Sequence, residues 1–201
     1  MYSLRVLPGF DPASHLVQGV GTQRICVQFI LTHHIIMGVI SMMRKVERTD
    51  AAALAAIYNE YVLHSVATFD TDPVSEEAMW EKVSGIAANH PCWVEEEAGE
   101  VIGYCYAHPW KEKAAYQTTL ETTIYLSPAH TGKGIGRRMM EHLIADCRAR
   151  GFHALVACIT ADNIGSCHLH EQLGFRKVSH FEQVGQKFNR WLDVVDYELL
   201  L

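Results

Sequence analysis

The sequence is short of the features that mark several protein classes. Positive charge is not in excess: 17 Lys and Arg face 23 Asp and Glu, a formal net charge of −6 with His neutral. General nucleic-acid binding needs a basic face, so this balance argues against a nucleic-acid partner. The six cysteines (Cys26, Cys92, Cys105, Cys147, Cys158 and Cys167) form no C-x-x-C pair and no repeated spacing. Reduced, buried thiols in a cytoplasmic protein are the expectation. Twelve histidines include no H-E-x-x-H and no Cys/His ligand spacing. His33-His34 and His168/His170 therefore read as surface or packing residues, and no metal is expected. The mostly apolar run Ile25–Ile40 is interrupted by Gln28 and His33-His34. It is shorter than the ~18 residues of a membrane span, which argues against a membrane partner. It is also a poor secretory signal, since no small-x-small cleavage site follows.

Two familiar phosphate loops are missing as well. There is no G-x-x-x-x-G-K-[ST], and the glycines at 132, 134 and 136 are spaced G-x-G-x-G rather than G-x-G-x-x-G. No acidic residue stands at the right distance after a second strand, so neither that nucleotide triphosphatase loop nor the dinucleotide fingerprint applies. No internal repeat or low-complexity linker is present.

What remains is an ordinary globular composition, 49% hydrophobic and 20% charged over 201 residues. That is one domain's worth of chain, enough to bury a sizeable core. Residues 1–41 do not read like the rest. Pro8, Gly9, Asp11-Pro12, Gly19 and Gly21 break any period. The segment is expected to be a dispensable, poorly packed extension or the product of an upstream start codon, with the working domain at 42–201.

The chain is organised around Leu120–Arg150, LETTIYLSPAHTGKGIGRRMMEHLIADCRAR. Leu120–Leu126 reads as a strand stopped by Ser127-Pro128. Beyond the glycines, Ile135, Met139, Met140, Leu143, Ile144 and Cys147 recur at helical spacing. Glycines leave the backbone open, and the first amides of a helix have no internal partners. With the positive end of the helix dipole, the loop Gly132–Gly136 suits a phosphate or pyrophosphate. Lys133, Arg137 and Arg138 add positive charge around it. An ordinary glycine-rich turn is the alternative on loop composition alone.

Around this stretch, strands are expected at Arg44–Arg48, Cys92–Glu96, Val101–His108, His153–Ile159, Phe175–Val184 and Trp191–Leu200. Helices are expected from a cap at Thr49 or Asp50 to about Leu63, from Ser75, and over Asn163–Leu173 before Gly174. Strands alternating with helices and ending in a hairpin indicate an α/β layer fold with a mixed sheet.

Thr131-Gly132-Lys133-Gly134-Ile135-Gly136 resembles the acyl-CoA loop of the GCN5-related N-acetyltransferases (GNAT), Gln/Arg-x-x-Gly-x-Gly/Ala at a helix start. Thr131 departs from the pattern at its first position. Four segments together look like the phosphinothricin and methionine sulfoximine/sulfone acetyltransferases: YNEYVLHSVATFDTDPVS at 58–75, ETTIYLSPAHTGKGIG at 121–136, ADNIGSCHLHEQLGF at 161–175 and VGQKFNRWLDV at 184–194. The resemblance implies a GNAT fold with a mostly antiparallel central sheet flanked by helices, acetyl-CoA as co-substrate, and a homodimer. It implies acetyl transfer to the amino group of a small amino-acid-like molecule. A different amine (polyamine, aminoglycoside or protein N-terminus) and a non-catalytic acyl-CoA-binding module are the alternatives.

Residue by residue, it implies Glu121 as general base, a strand carboxylate paired with Lys or Arg being the plainer reading. Ile124, Tyr125 and Leu126 would offer backbone groups to the pantetheine arm. Gly132, Lys133, Gly134, Ile135, Gly136 and Arg137 would hold the pyrophosphate. Asn163 would both cap a helix and touch the cofactor. Lys111 falls where relatives hold the acceptor's carboxylate with arginine. Phe69, Trp110 and Tyr116 are candidates for the pocket wall or for core or dimer contacts. Alternation along a strand points Glu121 and Thr123 to one face, toward the acceptor, and Thr122 to the other.

Overall fold

The computed structural model describes residues 41–201. Ser41 apart, the segment 1–41 lies outside the described residues, and so does the expectation that it is a dispensable extension. Eight strands and four α-helices follow in the order β1 (Ser41–Lys45), α1 (Ala51–His64), α2 (Glu76–Ala87), β2 (Cys92–Glu97), β3 (Glu100–Pro109), β4 (Thr119–Leu126), α3 (Ile135–Ala149), β5 (Ala154–Thr160), α4 (Ile164–Gln172), β6 (Arg176–Lys177), β7 (Phe181–Lys187) and β8 (Arg190–Leu200). The strands form one sheet in the order β1-β2-β3-β4-β5-β8-β6, with β7 also paired to β8. Only β4 and β5 are parallel; every other pair is antiparallel. The mixed, mostly antiparallel sheet read from the sequence is the one that forms.

Local chemistry sets the element ends. Arg44 grips the Asp50 carboxylate with two bonds of 2.8 Å, and the same carboxylate accepts the Glu47 amide at 2.7 Å just before α1. Ser75 caps α2 by accepting the Ala78 amide. Ala98 and Gly99 both take positive φ, 54° and 85°, the two-residue turn whose twist matches a hairpin. Gly174, at φ 88°, ends α4.

The helices cover both faces of the sheet. Leu54, Ile57 and Val62 of α1 and Val83 of α2 pack on Val94, Tyr104 and Tyr106. On the other face Met139, Met140, Leu143 and Cys147 of α3 pack on Leu120, Leu155 and Val195. No helix among the described residues is long and apolar enough to cross a membrane.

Two boundaries differ from the sequence reading. The first strand is Ser41–Lys45 rather than Arg44–Arg48, because Arg48–Asp50 is drawn into a short helical turn ahead of α1. The expected strand Phe175–Val184 is broken. The amides of Val178 and Ser179 both turn to the Asp196 carbonyl, and the Ser179 hydroxyl accepts the Asp196 amide. Between Phe181↔Val194 and Gly185↔Leu192 the register then slips, with Gln183 at φ 54°.

One feature of the sheet positions the site. β4 and β5 pair only at Thr119↔Ala154, Leu120↔Leu155 and Glu121↔Val156. β3 nevertheless follows β4 to Leu126, and β8 follows β5 to Thr160. Beyond Glu121 the two central strands part. Leu120, fully buried against α3 just inside the fork, is expected to cost about 2–5 kcal/mol when replaced by Ala. Denaturant titration checks this, with the exposed Leu63→Ala as a control expected within about 0.5 kcal/mol of wild type.

Candidate active site

The fork between β4 and β5 opens into a cavity of about 840 Å³. It joins the two faces of the sheet. Gly132, Gly134, Arg137 and Asn163 line it on the α3–α4 side, and Tyr61, Ala67, Thr68 and Tyr125 on the α1 side.

At the α3 side the glycines keep the backbone open. Gly132 and Gly134 have φ of 73° and 79°, a conformation side chains disfavour. Gly134 is the N-cap of α3 and offers no capping side chain. The Arg138 amide makes the first helical bond, to the Gly134 carbonyl at 3.2 Å, so the amides just before it have no partner within the helix. Gly136 is different. A Cβ there would stand 3.7 Å from Ile124 and Leu169 side-chain atoms, an ordinary contact; the missing side chain serves the cavity rather than the packing. Open amides, a helix N-terminus and Arg137 suit a pyrophosphate.

The other loop residues divide. Ile135 buries its side chain in the core and has only its amide to give. Lys133 is exposed and outside the cavity lining. Arg138 is turned away to the buried Glu95 carboxylate, 2.5 Å distant. Thr131 lines the cavity and donates its hydroxyl to the Pro128 carbonyl at 2.9 Å.

Along β4, Ile124, Tyr125 and Leu126 lie past the last pair with β5 and line the cavity. The Leu126 carbonyl accepts the Tyr61 phenol at 2.5 Å. Asn163 caps α4, accepting the Ser166 amide at 3.2 Å, and also lines the cavity, so its two expected positions coincide.

Glu121 stands where the fork begins, half-buried in the cavity wall. It makes no ion pair with any Lys, Arg or His among the described residues. The plainer reading of a paired strand carboxylate is therefore not what the fold builds. Burial pushes its carboxyl above the ordinary value, with His108 lowering it and Asp196 raising it. Register places Glu121 beside His108 and Thr123 beside Tyr106. Thr122 points to the opposite face, buried, and donates to the Val156 carbonyl at 3.3 Å. The alternation read from the sequence is thus the one observed.

Several cavity residues were not legible in the sequence. Cys158, two residues past Val156 on β5, faces the cavity and is exposed, unlike the buried thiols expected from the sequence. Partial desolvation in the cavity wall still pushes its thiol up to about 12, with Asp196 and Glu121 adding to the effect. Tyr125, expected from the sequence to offer its backbone, packs its ring among Tyr58, Tyr61 and Tyr104, with ring centroids 5.0, 5.2 and 5.6 Å away. Conversely, four expected acceptor-side residues, Phe69, Trp110, Lys111 and Tyr116, lie outside the lining. The Phe69 ring packs on Gly185. Lys111 holds its ammonium 3.9 Å from the Trp110 ring and 5.3 Å from that of Tyr116. No cluster of three or more His, Cys, Asp or Glu able to hold a metal ion occurs among the described residues.

Parted strands beside a glycine-opened helix end define an acyltransferase scaffold. The chain belongs to the acetyltransferase (GNAT) family, whose model matches residues 54–175. It is 38% identical over 164 residues to an L-methionine sulfoximine/L-methionine sulfone acetyltransferase of Salmonella typhimurium, covering 79% of this chain and 94% of the relative. To an L-amino acid N-acyltransferase of Escherichia coli it is 37% identical over 161 residues, covering 79% and 93%. Among solved structures, a GNAT superfamily phosphinothricin acetyltransferase of Sinorhizobium meliloti in complex with acetyl-CoA matches with a TM-score of 0.78 at 37% identity, covering 80% of this chain and 88% of that one.

The raised Glu121 carboxyl has a consequence for stability. Well below its ordinary value of 4.5 it is protonated folded and unfolded alike and carries no penalty. As pH rises, the unfolded chain ionises first and stability is lost until the folded carboxyl ionises too. Glu121→Gln is therefore expected to melt above wild type near neutral pH and level with it well below 4.5, which thermal unfolding at the two pH values checks.

Proposed function

We propose that this acetyltransferase moves the acetyl group of acetyl-CoA directly to the amino group of a small amino-acid-like acceptor of the phosphinothricin, methionine sulfoximine or methionine sulfone type, with Glu121 as general base. The observation that carries the reading is the state of Glu121: half-buried, without a cationic partner, and raised in pKa at the mouth of the fork. An α-amine is mostly protonated at neutral pH and must lose a proton before it attacks. A carboxylate raised toward neutrality is a better acceptor for that proton than an ordinary one.

Acetyl-CoA supplies a thioester, whose thiol leaves with modest help. The glycine-loop amides and Arg137 bind its pyrophosphate, while the unpaired backbone of Ile124–Leu126 takes the pantetheine arm as a sheet edge takes a peptide. An amide of that strand faces the developing oxyanion. Glu121 and Thr123 meet the acceptor on the α1 side, because both point to that face. Phe69, Lys111 and Tyr116 stand outside the lining, so in this reading they act from the cavity's surroundings.

One observation favours a second acceptor class. Arg137, at the glycine loop, is the only Lys or Arg among the lining residues. Among the described residues the acceptor end thus carries a carboxylate and no fixed cation, which also suits a polyamine or another cationic amine. A cytoplasmic homodimer is part of the proposal. Phe181, Val184, Phe188 and Trp191, exposed on β7, on β8 and at the turn between them, supply apolar surface for it.

The test is thiol release from acetyl-CoA across phosphinothricin, methionine sulfoximine, methionine sulfone, ordinary amino acids, spermidine and an aminoglycoside. Turnover is expected with the first three. Glu121→Gln is expected to lower kcat by about 10²–10⁴-fold while acetyl-CoA binding is kept. Turnover confined to spermidine or the aminoglycoside would replace the acceptor class and keep the base.

A further inference from the structure

Lys187 is the last residue of β7 and is 4% exposed. A buried ammonium needs oxygen partners. The two it finds are main-chain carbonyls, that of Thr68 at 2.8 Å and that of Tyr61 at 3.3 Å. Tyr61 belongs to the last turn of α1, where the dipole favours a cation, and its carbonyl also accepts the Ser65 amide at 3.1 Å. Thr68 belongs to the loop between α1 and α2. One side chain therefore ties that loop to the helix it leaves, from a hairpin 119 residues further along the chain.

Two neighbouring contacts grip the same loop. The Thr160 hydroxyl, at the end of β5, donates to the Val66 carbonyl at 2.6 Å. The Phe69 ring lies so close to Gly185 that a Cβ there would fall 2.1–2.8 Å from its carbons. Glycine at 185 is thus a requirement of the ring's position. The hairpin that carries Gly185 and Lys187 turns tightly through Phe188 and Asn189, at φ 52° and 57°, which fixes Lys187 opposite Arg190.

What the loop does with this anchoring is visible at the cavity. Ala67 and Thr68 line it, and the Thr68 hydroxyl bonds the Tyr58 phenol at 2.8 Å on the face that Glu121, Thr123 and Tyr125 share. We propose that Lys187 is a positioning residue for the acceptor: from the β7–β8 hairpin it ties the Thr68 carbonyl of the 66–69 loop to the Tyr61 carbonyl at the end of α1 and so sets the cavity wall opposite the β4 side chains, without touching the acceptor itself. This rests on the reading that the amine is taken up on that face.

Two readouts test it on the full chain. Lys187→Met is expected to raise the acceptor KM about tenfold while the acetyl-CoA Kd stays within about twofold, because a wall moved by a fraction of an ångström spoils the acceptor's placement and leaves the glycine loop alone. Amide hydrogen exchange over 65–74 is expected to speed up by about tenfold or more, with the amides at the start of α3 unchanged. Lys187→Gln keeps an N–H donor and carries the same readouts, with smaller effects, if the Met variant does not fold. Wild-type acceptor KM with wild-type exchange over 65–74 would overturn the proposal. So would a parallel loss of acetyl-CoA binding with faster exchange throughout, since that marks general destabilisation. If the wild-type protein acetylates no acceptor in the panel, the transfer reading fails separately, and the exchange over 65–74 alone decides whether the clasp exists.

Discussion

The parting of β4 from β5 after Glu121↔Val156 is the constraint on which the rest depends. A parallel pair in the middle of a sheet normally continues, because each unpaired amide or carbonyl that loses water needs another partner. Here both strands keep their outer neighbours, β3 and β8, so neither can move across to close the gap. The edges left facing each other form a slot through the centre of the fold. A ligand that itself carries amides along an extended arm fits such a slot by main-chain bonding alone. Side-chain contacts are then needed only at its two ends, where the glycine loop and the α1–α2 loop stand.

The same opening explains the electrostatics. Glu121 lies at the last paired position, half-buried and without an ion pair among the described residues. Its surroundings are His108 from β3 and Asp196 from β8, with the Cys158 thiol held protonated beside them. A carboxylate so placed costs the fold stability where it is ionised. A hydrophobic residue of similar size would pack there at lower cost. The fold keeps the acid at the fork all the same.

Much of this could be read from the chain, and the reason lies in how local each feature is. The glycine loop, the periodic face of α3, the strand before it and the Asn163 cap are contiguous in sequence, and each took its expected place. Two-residue alternation was enough to separate Glu121 and Thr123 from Thr122. The acceptor side resisted. Nothing in the run ALVACIT says that Cys158 will face a slot, because the strand whose departure exposes it, β4, lies on the far side of α3 in the chain. Phe69 reads as a pocket aromatic until Gly185 is seen beneath it. Lys111 and Tyr116 share an aromatic cluster with Trp110 that the spacing alone does not reveal. The break between β6 and β7 depends on Asp196, whose main chain captures Val178 and Ser179.

In the proposed reading the site has two halves of different construction. The cofactor end is built by one short stretch, 131–137, with a cap from Asn163, so its geometry follows from local backbone preferences. The acceptor end is assembled from α1, the loop after it, β4, β5 and the β7–β8 hairpin, held by single long-range contacts such as Thr160 to Val66 across 94 residues and Lys187 to Thr68. Substitutions in the first half disturb a motif that is shared by its chemistry. Substitutions in the second shift a wall by tenths of an ångström while the slot and the glycine loop stay as they are. In that reading the amine end could change without rebuilding the acyl donor end, because the two ends meet at Glu121 and the parted strands.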